Sequence, residues 1–232
     1  IRLSLVGSEM CIRDRNPGGQ YASGRAAGAV LSQAREDIAE LLGADPVEVI
    51  FTGSGTEADN IAVRGLYRAR REEAGTNRVV ASTIEHSAVL ETVKSLGQTE
   101  GAELAWLEPD RGGHLRNLSA LDTPAAVATM MWANNETGAV QPVREAAERA
   151  AAVGTPLHID AVQAVGKEDV NFHDSGATTL AASAHKFGGP RGSGILLARR
   201  SPVPQPVLLG GGQERGLRPG TCLLYTSPSP RD

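Results

Sequence analysis

Cysteine is scarce in this chain: its 232 residues contain two, Cys11 and Cys222, and both lie in the terminal segments. The long middle part therefore holds no disulfide, and such a composition suits a cytoplasmic protein. Aromatic residues make up 3% of the chain and no basic stripe accompanies them, so nothing indicates a surface for nucleic acid. No apolar run approaches the roughly 18 residues of a membrane-spanning helix. We therefore expect a soluble globular protein of the cytoplasm.

The two ends of the chain, residues 1–15 and 222–232, share one origin at the level of DNA. The tail CLLYTSPSPRD can be written as a DNA sequence whose reverse complement, read in another frame, encodes the opening stretch SLVGSEMCIRDR once flanking bases are added. That DNA resembles a transposase-type sequencing adaptor. We therefore expect both ends to be non-native, which leaves residues 16–221 as the protein's own sequence and removes Cys222 as a candidate nucleophile.

The first predicted helix runs from residue 23 to residue 42. Ser23 is its candidate N-cap, and Gly43 together with Pro46 ends the helical pattern. Apolar residues recur at helical spacing and predict one buried stripe, formed by Ala27, Val30, Leu31, Ala34, Ile38, Leu41 and Leu42.

The rest of the chain alternates between strand and helix patterns. Further helices are predicted from about residue 57 to 73, at 87–96 and at 143–153. Apolar and β-branched runs predict strands at 47–52, 78–82, 102–108, 125–132, 155–160, 178–186 and 194–199. This alternation is typical of an α/β domain whose mostly parallel sheet is flanked by helices. Ligands of such domains bind at the carboxyl ends of the strands, so the residues that follow each strand are the candidates for a site.

A glycine turn, GSGTEADN (53–60), follows the first strand and opens a helix. Gly55 allows a ligand to approach the backbone, the helix start offers unpaired N–H groups, and Thr56 adds a hydroxyl, as in a phosphate site. The turn has no P-loop lysine and is not GxGxxG, which disfavours nucleotides and dinucleotides. A purely structural turn is the alternative.

Polar residues also follow the later strands. His86 in TIEHSAV is either a functional residue or a helix cap, and Asn135 in WANNETG either orients a ring substituent or forms a turn. Asp160 ends the strand of LHIDAVQAVG, with Gln163 three residues on. A carboxylate placed there needs a partner, which is a pyridinium nitrogen, a metal ion or a backbone N–H. The histidines show no HExxH or similar spacing, so a metal enzyme is disfavoured.

The segment ASAHKFGGPRGSG places Ser183, His185 and Lys186 between a predicted strand and a glycine-rich turn. Most lysines are surface residues, but we expect this one to be buried, because burial lowers the pKa of an amine and yields a neutral nucleophile. A phosphate turn, a strand-end aspartate, such a lysine and a ring-facing histidine are together the parts that pyridoxal phosphate requires.

The motifs occur in the order and approximate spacing of one known family. NPGGQYASGR, FTGSGTEADN, IEHSAV, NNETG, HIDAVQAVGK, SAHKFGGPRGSG and GGGQERGLRPGT resemble the cysteine desulfurases, fold-type I pyridoxal-phosphate enzymes related to class V aminotransferases. The resemblance covers essentially all of residues 16–221. It implies the large cofactor-binding domain of that fold and the cofactor pyridoxal 5'-phosphate.

The resemblance also implies a role for each candidate residue. Lys186 matches the Schiff-base lysine and His86 the histidine stacked on the cofactor ring, while Asp160 matches the partner of the pyridinium nitrogen. Gln163 matches the group bonded to the phenolic oxygen, and Asn135 another cofactor contact. The residues that match phosphate ligands are Gly55, Thr56, Ser183, His185 and, from the neighbouring subunit of a homodimer, Thr221.

The family departs from this chain in what surrounds these motifs. Its first strand and its small C-terminal domain, which carries a substrate-binding arginine and the catalytic cysteine loop, have no counterpart here. For the parent protein, the resemblance implies removal of sulfur from L-cysteine, giving L-alanine and an enzyme persulfide for a sulfur acceptor or an iron–sulfur scaffold protein. We expect the chain itself to be inactive in sulfur transfer. A selenocysteine lyase, another class V aminotransferase and a non-catalytic remnant of the fold are the alternatives.

Overall fold

A computed structural model describes residues 22–220, and Cys11, Thr221, Cys222 and both predicted non-native ends lie outside this range. Within it, seven strands form one sheet in the order β1-β7-β6-β5-β4-β2-β3. The strands are β1 (Val49–Thr52), β2 (Arg78–Ser82), β3 (Glu103–Leu107), β4 (Val127–Met131), β5 (Leu157–Asp160), β6 (Thr179–Ser183) and β7 (Gly194–Ala198). No helix in this part of the chain is long and apolar enough to span a membrane.

The sheet is mostly parallel, as the sequence predicts. Five neighbouring strands, β3, β2, β4, β5 and β6, run in one direction, and β7 pairs antiparallel with both β6 and β1. The antiparallel pairing on both sides of β7 gives β1 the same direction as the parallel strands. The carboxyl ends of β1, β2, β4, β5 and β6 therefore meet at one edge of the sheet.

Five helices accompany the sheet in the described part of the chain: α1 (Ala22–Leu42), α2 (Gly55–Ala74), α3 (Ser87–Glu100), α4 (Val143–Ala152) and the short α5 (Phe172–Ser175). Alternate strand residues face opposite layers. Val79 and Val127 pack with residues of α2 and α3, whereas Val80 and Met130 pack with α4. The core thus lies on both faces of the sheet.

Two expectations for the first helix are wrong. Ser23 lies inside α1, which already includes Ala22, so it is not the N-cap. Val30 and Leu41 of the predicted stripe are exposed, while Ala39 is buried instead. Ala27 and Leu42 are buried as predicted, and Gly43 ends the helix with a φ of +61°, a backbone conformation that favours glycine.

All the predicted strands except 78–82 are shorter in the structure, and two of them are shortened by a 3₁₀ turn. Residues Pro46–Glu48 form a 3₁₀ turn before β1, because proline at its first position favours a helical start. The strand predicted at 178–186 ends at Ser183, and Ala184–Lys186 form another 3₁₀ turn. The carbonyl of Ala184 accepts hydrogen bonds from the N–H groups of Phe187 and Gly189, which closes that turn. Lys186 is therefore not part of a strand.

Candidate functional site

One cavity of about 250 Å³ lies at the edge where the strand carboxyl ends meet. It is lined by every candidate residue that falls within residues 22–220: Gly55, Thr56, His86, Asn135, Asp160, Gln163, Ser183, His185 and Lys186. Four further residues that the sequence analysis did not select complete the lining, namely Ser54, Asp59, Met131 and Val162.

The glycine turn forms one end of the cavity. Ser54 caps α2, its hydroxyl accepting a hydrogen bond from the Glu57 N–H at 3.1 Å. A side chain at Gly55 would place its Cβ 2.7 Å from Val162 Cγ2 and 3.3 Å from Ser183 Cβ, so only glycine fits there. Thr56 is exposed in the first turn of the helix. The bare backbone and the positive end of a 20-residue helix together suit an anionic group.

The carboxylate of Glu57 holds this turn closed. It accepts hydrogen bonds from the Gly53 N–H and, at 2.9 Å, from Arg218 Nε. Glu57 therefore pairs with Arg218 and ties the Gly53 backbone to the first turn of α2.

Asp160 stands at another part of the cavity wall, at the end of β5, and is 5% exposed. Its Oδ1 accepts a hydrogen bond from the Val162 N–H at 2.9 Å, so the backbone partner considered in the sequence analysis is present. Burial, and then the carboxyl of Asp59, raise the pKa of Asp160 to about 7. No ion pair joins Asp160 to a lysine or arginine within residues 22–220. A cationic ligand atom would therefore favour its carboxylate form.

His86 and Asn135 lie at the mouth of the cavity, and both are exposed. The structure confirms that His86 caps a helix: its Nδ1 accepts a hydrogen bond from the Ala88 N–H at 3.1 Å. The turn after β4 is held by Asn134, whose Oδ1 accepts from the N–H groups of Glu136 and Thr137. Among the described residues, the Asn135 side chain bonds only its neighbour Glu136, at 2.6 Å, so it is not needed for the turn.

Lys186 is exposed, and the expectation of a buried amine is wrong for the chain as described. Lys186 is the last residue of the 3₁₀ turn that follows β6, whose first residue, Ala184, is buried. Ser183 and His185 remain joined across this turn, with 3.0 Å between Oγ and Nδ1. Gln163 accepts a hydrogen bond from Lys167 at 2.7 Å through Oε1, a contact that does not use its amide NH₂ group.

Sequence reasoning missed three buried ionisable residues at this site. Asp59 and His158 lie 3.2 Å apart, between Oδ1 and Nε2, and Glu85 accepts hydrogen bonds from Ser82 and from the Met131 N–H. Each occurs in a motif already selected, Asp59 in GSGTEADN, Glu85 in TIEHSAV and His158 in LHID. Alternation along β5 could have identified His158, because residues two apart in a strand share a face.

The donor set fits a ligand with an anionic group and a cationic ring nitrogen. The turn at Gly55, with Ser183 and His185, offers the anionic group a cradle that a Cβ atom would fill. Asp160 offers the ring nitrogen a buried carboxyl without a cationic partner among the described residues. The amine of Lys186 lines the same cavity. Pyridoxal 5'-phosphate carries both groups and an aldehyde with which an amine reacts.

The sequence is similar to a family of known enzymes. The family model for aminotransferase class-V matches residues 14–222. An IscS-like cysteine desulfurase of Mycobacterium tuberculosis is 44% identical over 212 residues, which cover 89% of this chain and 54% of that protein. A cysteine desulfurase of Nostoc sp. is 40% identical over 210 residues, covering 89% of this chain and 51% of that protein. The chain thus spans about half the length of these relatives.

Solved structures share the fold. A NifS-like protein superposes with a TM-score of 0.83 at 33% identity, over 92% of this chain and 60% of that one. SspA, solved in complex with cysteine, superposes with a TM-score of 0.82 at 35% identity, over 89% of this chain and 60% of that one. The expected fold, a mostly parallel sheet of the fold-type I class, is confirmed.

Proposed function

The chain belongs to the aminotransferase class-V family, and from this premise we propose that its cavity binds pyridoxal 5'-phosphate and that the parent protein is a cysteine desulfurase. The observation that carries the proposal is the single cavity that collects all nine candidate residues of the described range. The family is one of pyridoxal-phosphate enzymes, and the relatives at 40–44% identity are named cysteine desulfurases. SspA, a structural neighbour, binds cysteine.

Each of these residues would contact a different part of the cofactor. The Gly55 N–H and the side chains of Thr56, Ser183 and His185 would hold the phosphate. Asp160 would keep a proton on the ring nitrogen, His86 would stack on the ring, and Gln163 would donate to the phenolic oxygen through its amide NH₂, beside Asn135. Lys186 would bind the aldehyde carbon through Nζ and, once released by the substrate amine, carry a proton at that atom. The bound cofactor supplies an electron-accepting ring that stabilises negative charge on the substrate.

The sulfur step needs a thiol from elsewhere in the parent protein. Residues 16–221 contain no cysteine. The proposed reaction moves the sulfur of L-cysteine to an enzyme thiol, which becomes a persulfide, and releases L-alanine. We propose that this thiol belongs to a segment that the relatives have beyond the matched half. The persulfide would then serve a sulfur acceptor or an iron–sulfur scaffold protein in the cytoplasm.

Two further proposals concern the ends of the matched region. Residues 1–15 and 222–232 are proposed to be translated adaptor DNA, which is supported by a family match that starts at 14 and stops at 222. Thr221 is proposed to bind the phosphate of a second copy in a homodimer. An uninterrupted DNA read of the source locus tests the first: it should continue past the Gly220 codon without CLLYTSPSPRD, and a read that contains this tail and then a stop codon would refute it.

The cofactor proposal is tested by absorbance spectroscopy of the 232-residue chain mixed with pyridoxal 5'-phosphate. We expect a visible band that is lost in Lys186→Ala and kept in Lys94→Ala, an exposed lysine of α3 that pairs with Glu91. Addition of L-cysteine should shift the band. A band that persists in Lys186→Ala would refute the assignment of the lysine, and no band in the unmodified chain would refute the cofactor.

A further inference from the structure

Two buried side chains, Asp59 in the lining of the cavity and His158 behind it, are not used by the proposed function. Asp59 is 1% exposed and His158 is 0% exposed. His158 Nε2 lies 3.2 Å from Asp59 Oδ1, and its Nδ1 lies 3.0 Å from Thr179 Oγ1. Both ring nitrogens therefore have a partner, which fixes the orientation of the imidazole.

The two residues belong to the two elements that carry opposite parts of the proposed ligand site. Asp59 lies on α2, four residues and about one turn after Gly55 of the phosphate turn. His158 lies on β5, two residues before Asp160 and on the same face of the strand. The hydrogen bond between them thus joins the element that would hold the phosphate to the element that would hold the ring nitrogen.

The strand register shows that His158 lies within a polar row under α2. Thr129 of β4 pairs with His158, and His158 pairs with Thr179 of β6. All three are fully buried. The next row toward the carboxyl end consists of Met131, Asp160 and Ala181, and its first two members line the cavity. His158 therefore sits directly beneath the layer that faces the ligand.

Apolar residues would fill this space at least as well as a buried polar pair, because removing such groups from water is costly. What apolar contacts do not supply is direction. The hydrophobic effect is non-directional, whereas a hydrogen bond has a preferred length and angle. The pair therefore holds α2 at a defined height over β5.

The pair also leaves the charge of the cavity unchanged. Burial raises the pKa of Asp59 to about 8 and lowers the pKa of His158 to about 4. At neutral pH Asp59 therefore mostly keeps its proton and His158 is neutral, so the pair carries little net charge.

We propose that Asp59 and His158 are positioning residues that fix the distance between the phosphate turn at Gly55 and Asp160. The cavity is thereby matched to a ligand that carries a phosphate and a ring nitrogen in one molecule. This inference rests on the proposed function, because pyridoxal 5'-phosphate is the ligand whose phosphate and ring nitrogen the two parts of the site would bind.

Binding of the whole cofactor and of its two halves to the 232-residue chain tests the proposal. Calorimetry would give the Kd of pyridoxal 5'-phosphate, of pyridoxal and of inorganic phosphate. In Asp59→Ala we expect the Kd of the whole cofactor to rise tenfold or more, while the Kd of each half changes by less than twofold. Asp59→Asn keeps a hydrogen-bonding group at the same place and should bind the cofactor as the unmodified chain does. Thr129→Val removes a buried hydroxyl that has no partner among the described residues, and should likewise have no effect.

A double variant guards against loss of the fold. Asp59→Leu combined with His158→Leu removes both members of the pair, so neither is left buried without the other, and such replacements are often neutral for stability. The buried hydroxyl of Thr179 loses its contact with Nδ1 in this variant. It should reproduce the selective loss seen for Asp59→Ala. Unchanged cofactor binding in the folded variants, an equal loss for cofactor and halves, or an unfolded double variant would each overturn the positioning role. Absence of cofactor binding in the unmodified chain would instead overturn the proposed function, and this inference with it.

Discussion

Three carboxyl side chains close to the cavity, Asp59, Glu85 and Asp160, are at most 5% exposed. None forms an ion pair with lysine or arginine within residues 22–220. Burial is the largest cause that raises the pKa of Asp59 and of Glu85 to about 8 and that of Asp160 to about 7. The folded chain therefore holds protons at these groups that the unfolded chain has already released at neutral pH.

This arrangement predicts that the ligand-free chain becomes less stable as pH rises toward 8. A carboxyl whose pKa is raised in the folded chain lowers the free energy of unfolding as pH rises above its ordinary pKa. The loss stops once the folded group has also released its proton. His158 acts in the opposite sense, because its lowered pKa costs stability only as pH falls from about 6.5 to about 4. Between pH 6.5 and 8 the carboxyls act without it. Chemical denaturation should show a falling free energy of unfolding in this window.

The Asp59→Asn variant is the matched control for that pH dependence. It removes one titrating group and keeps the shape of the side chain, so its free energy of unfolding should fall less steeply between pH 6.5 and 8. Equal slopes for the variant and the unmodified chain would show that Asp59 is already ionised in the folded state.

The close packing of Gly55 against Val162 should matter for both stability and cofactor binding. Gly55→Ala places a Cβ 2.7 Å from Val162 Cγ2, which forces the turn or the loop after β5 to move. We expect a loss of about 1–3 kcal/mol in stability, as for other overpacked sites, and weaker cofactor binding. Val162→Ala removes the clashing methyl group, so the double variant should recover most of both losses in denaturation and calorimetry. If Gly55→Ala alone binds the cofactor normally, the close packing does not shape the site.

At the scale of elements, the last described segment is fastened to β1. Glu214 accepts a hydrogen bond from the Phe51 N–H at 2.8 Å and pairs with Arg35 of α1, also at 2.8 Å. Arg35 lies over the ring of Phe51, 4.8 Å from its centre. One carboxylate thus joins α1, β1 and the turn Glu214–Gly216. This turn lies just before the segment proposed to reach a second copy.

Glu214→Ala should therefore cost far more stability than removal of an exposed pair. The change leaves a half-buried guanidinium and a strand N–H without their partner, and we expect a loss of about 2 kcal/mol. Glu91→Ala, which breaks an exposed pair on α3, should change stability by less than about 0.5 kcal/mol. Denaturation of both variants measures the difference, and equal effects would mean that Glu214 does not fasten the segment.

The elements differ in how far the sequence predicts them. β2 is found at its predicted bounds, since RVVAS is a β-branched run whose buried residues serve both layers. The predicted strand runs past Ser183 through Ala184, His185 and Lys186, whereas β6 ends at Ser183. What ends it is the hydrogen bonding of Ala184 within a tight turn, which hydrophobic pattern does not encode. The same limit holds for α1, because Val30 and Leu41 fit the apolar pattern but are covered by nothing within residues 22–220.

At the scale of the whole molecule, topology is what brings the candidate residues together. The carboxyl ends of β1, β2, β4, β5 and β6 lie at one edge of the sheet, so residues as distant in sequence as Gly55 and Lys186 line one cavity. The motifs therefore predicted which residues would line the cavity. The burial of Asp59 and Glu85 and the exposure of Lys186 depend on how α2 and the turn after β6 pack, which spacing in the sequence does not specify.

The most direct test of cofactor binding at Lys186 is to locate pyridoxal 5'-phosphate on the chain. The 232-residue protein would be mixed with pyridoxal 5'-phosphate, reduced with borohydride, digested and mapped by mass spectrometry. We expect the phosphopyridoxyl group on Lys186, with Lys94 and Lys167 unmodified. Label spread over the three lysines, or found on another one, would contradict this expectation.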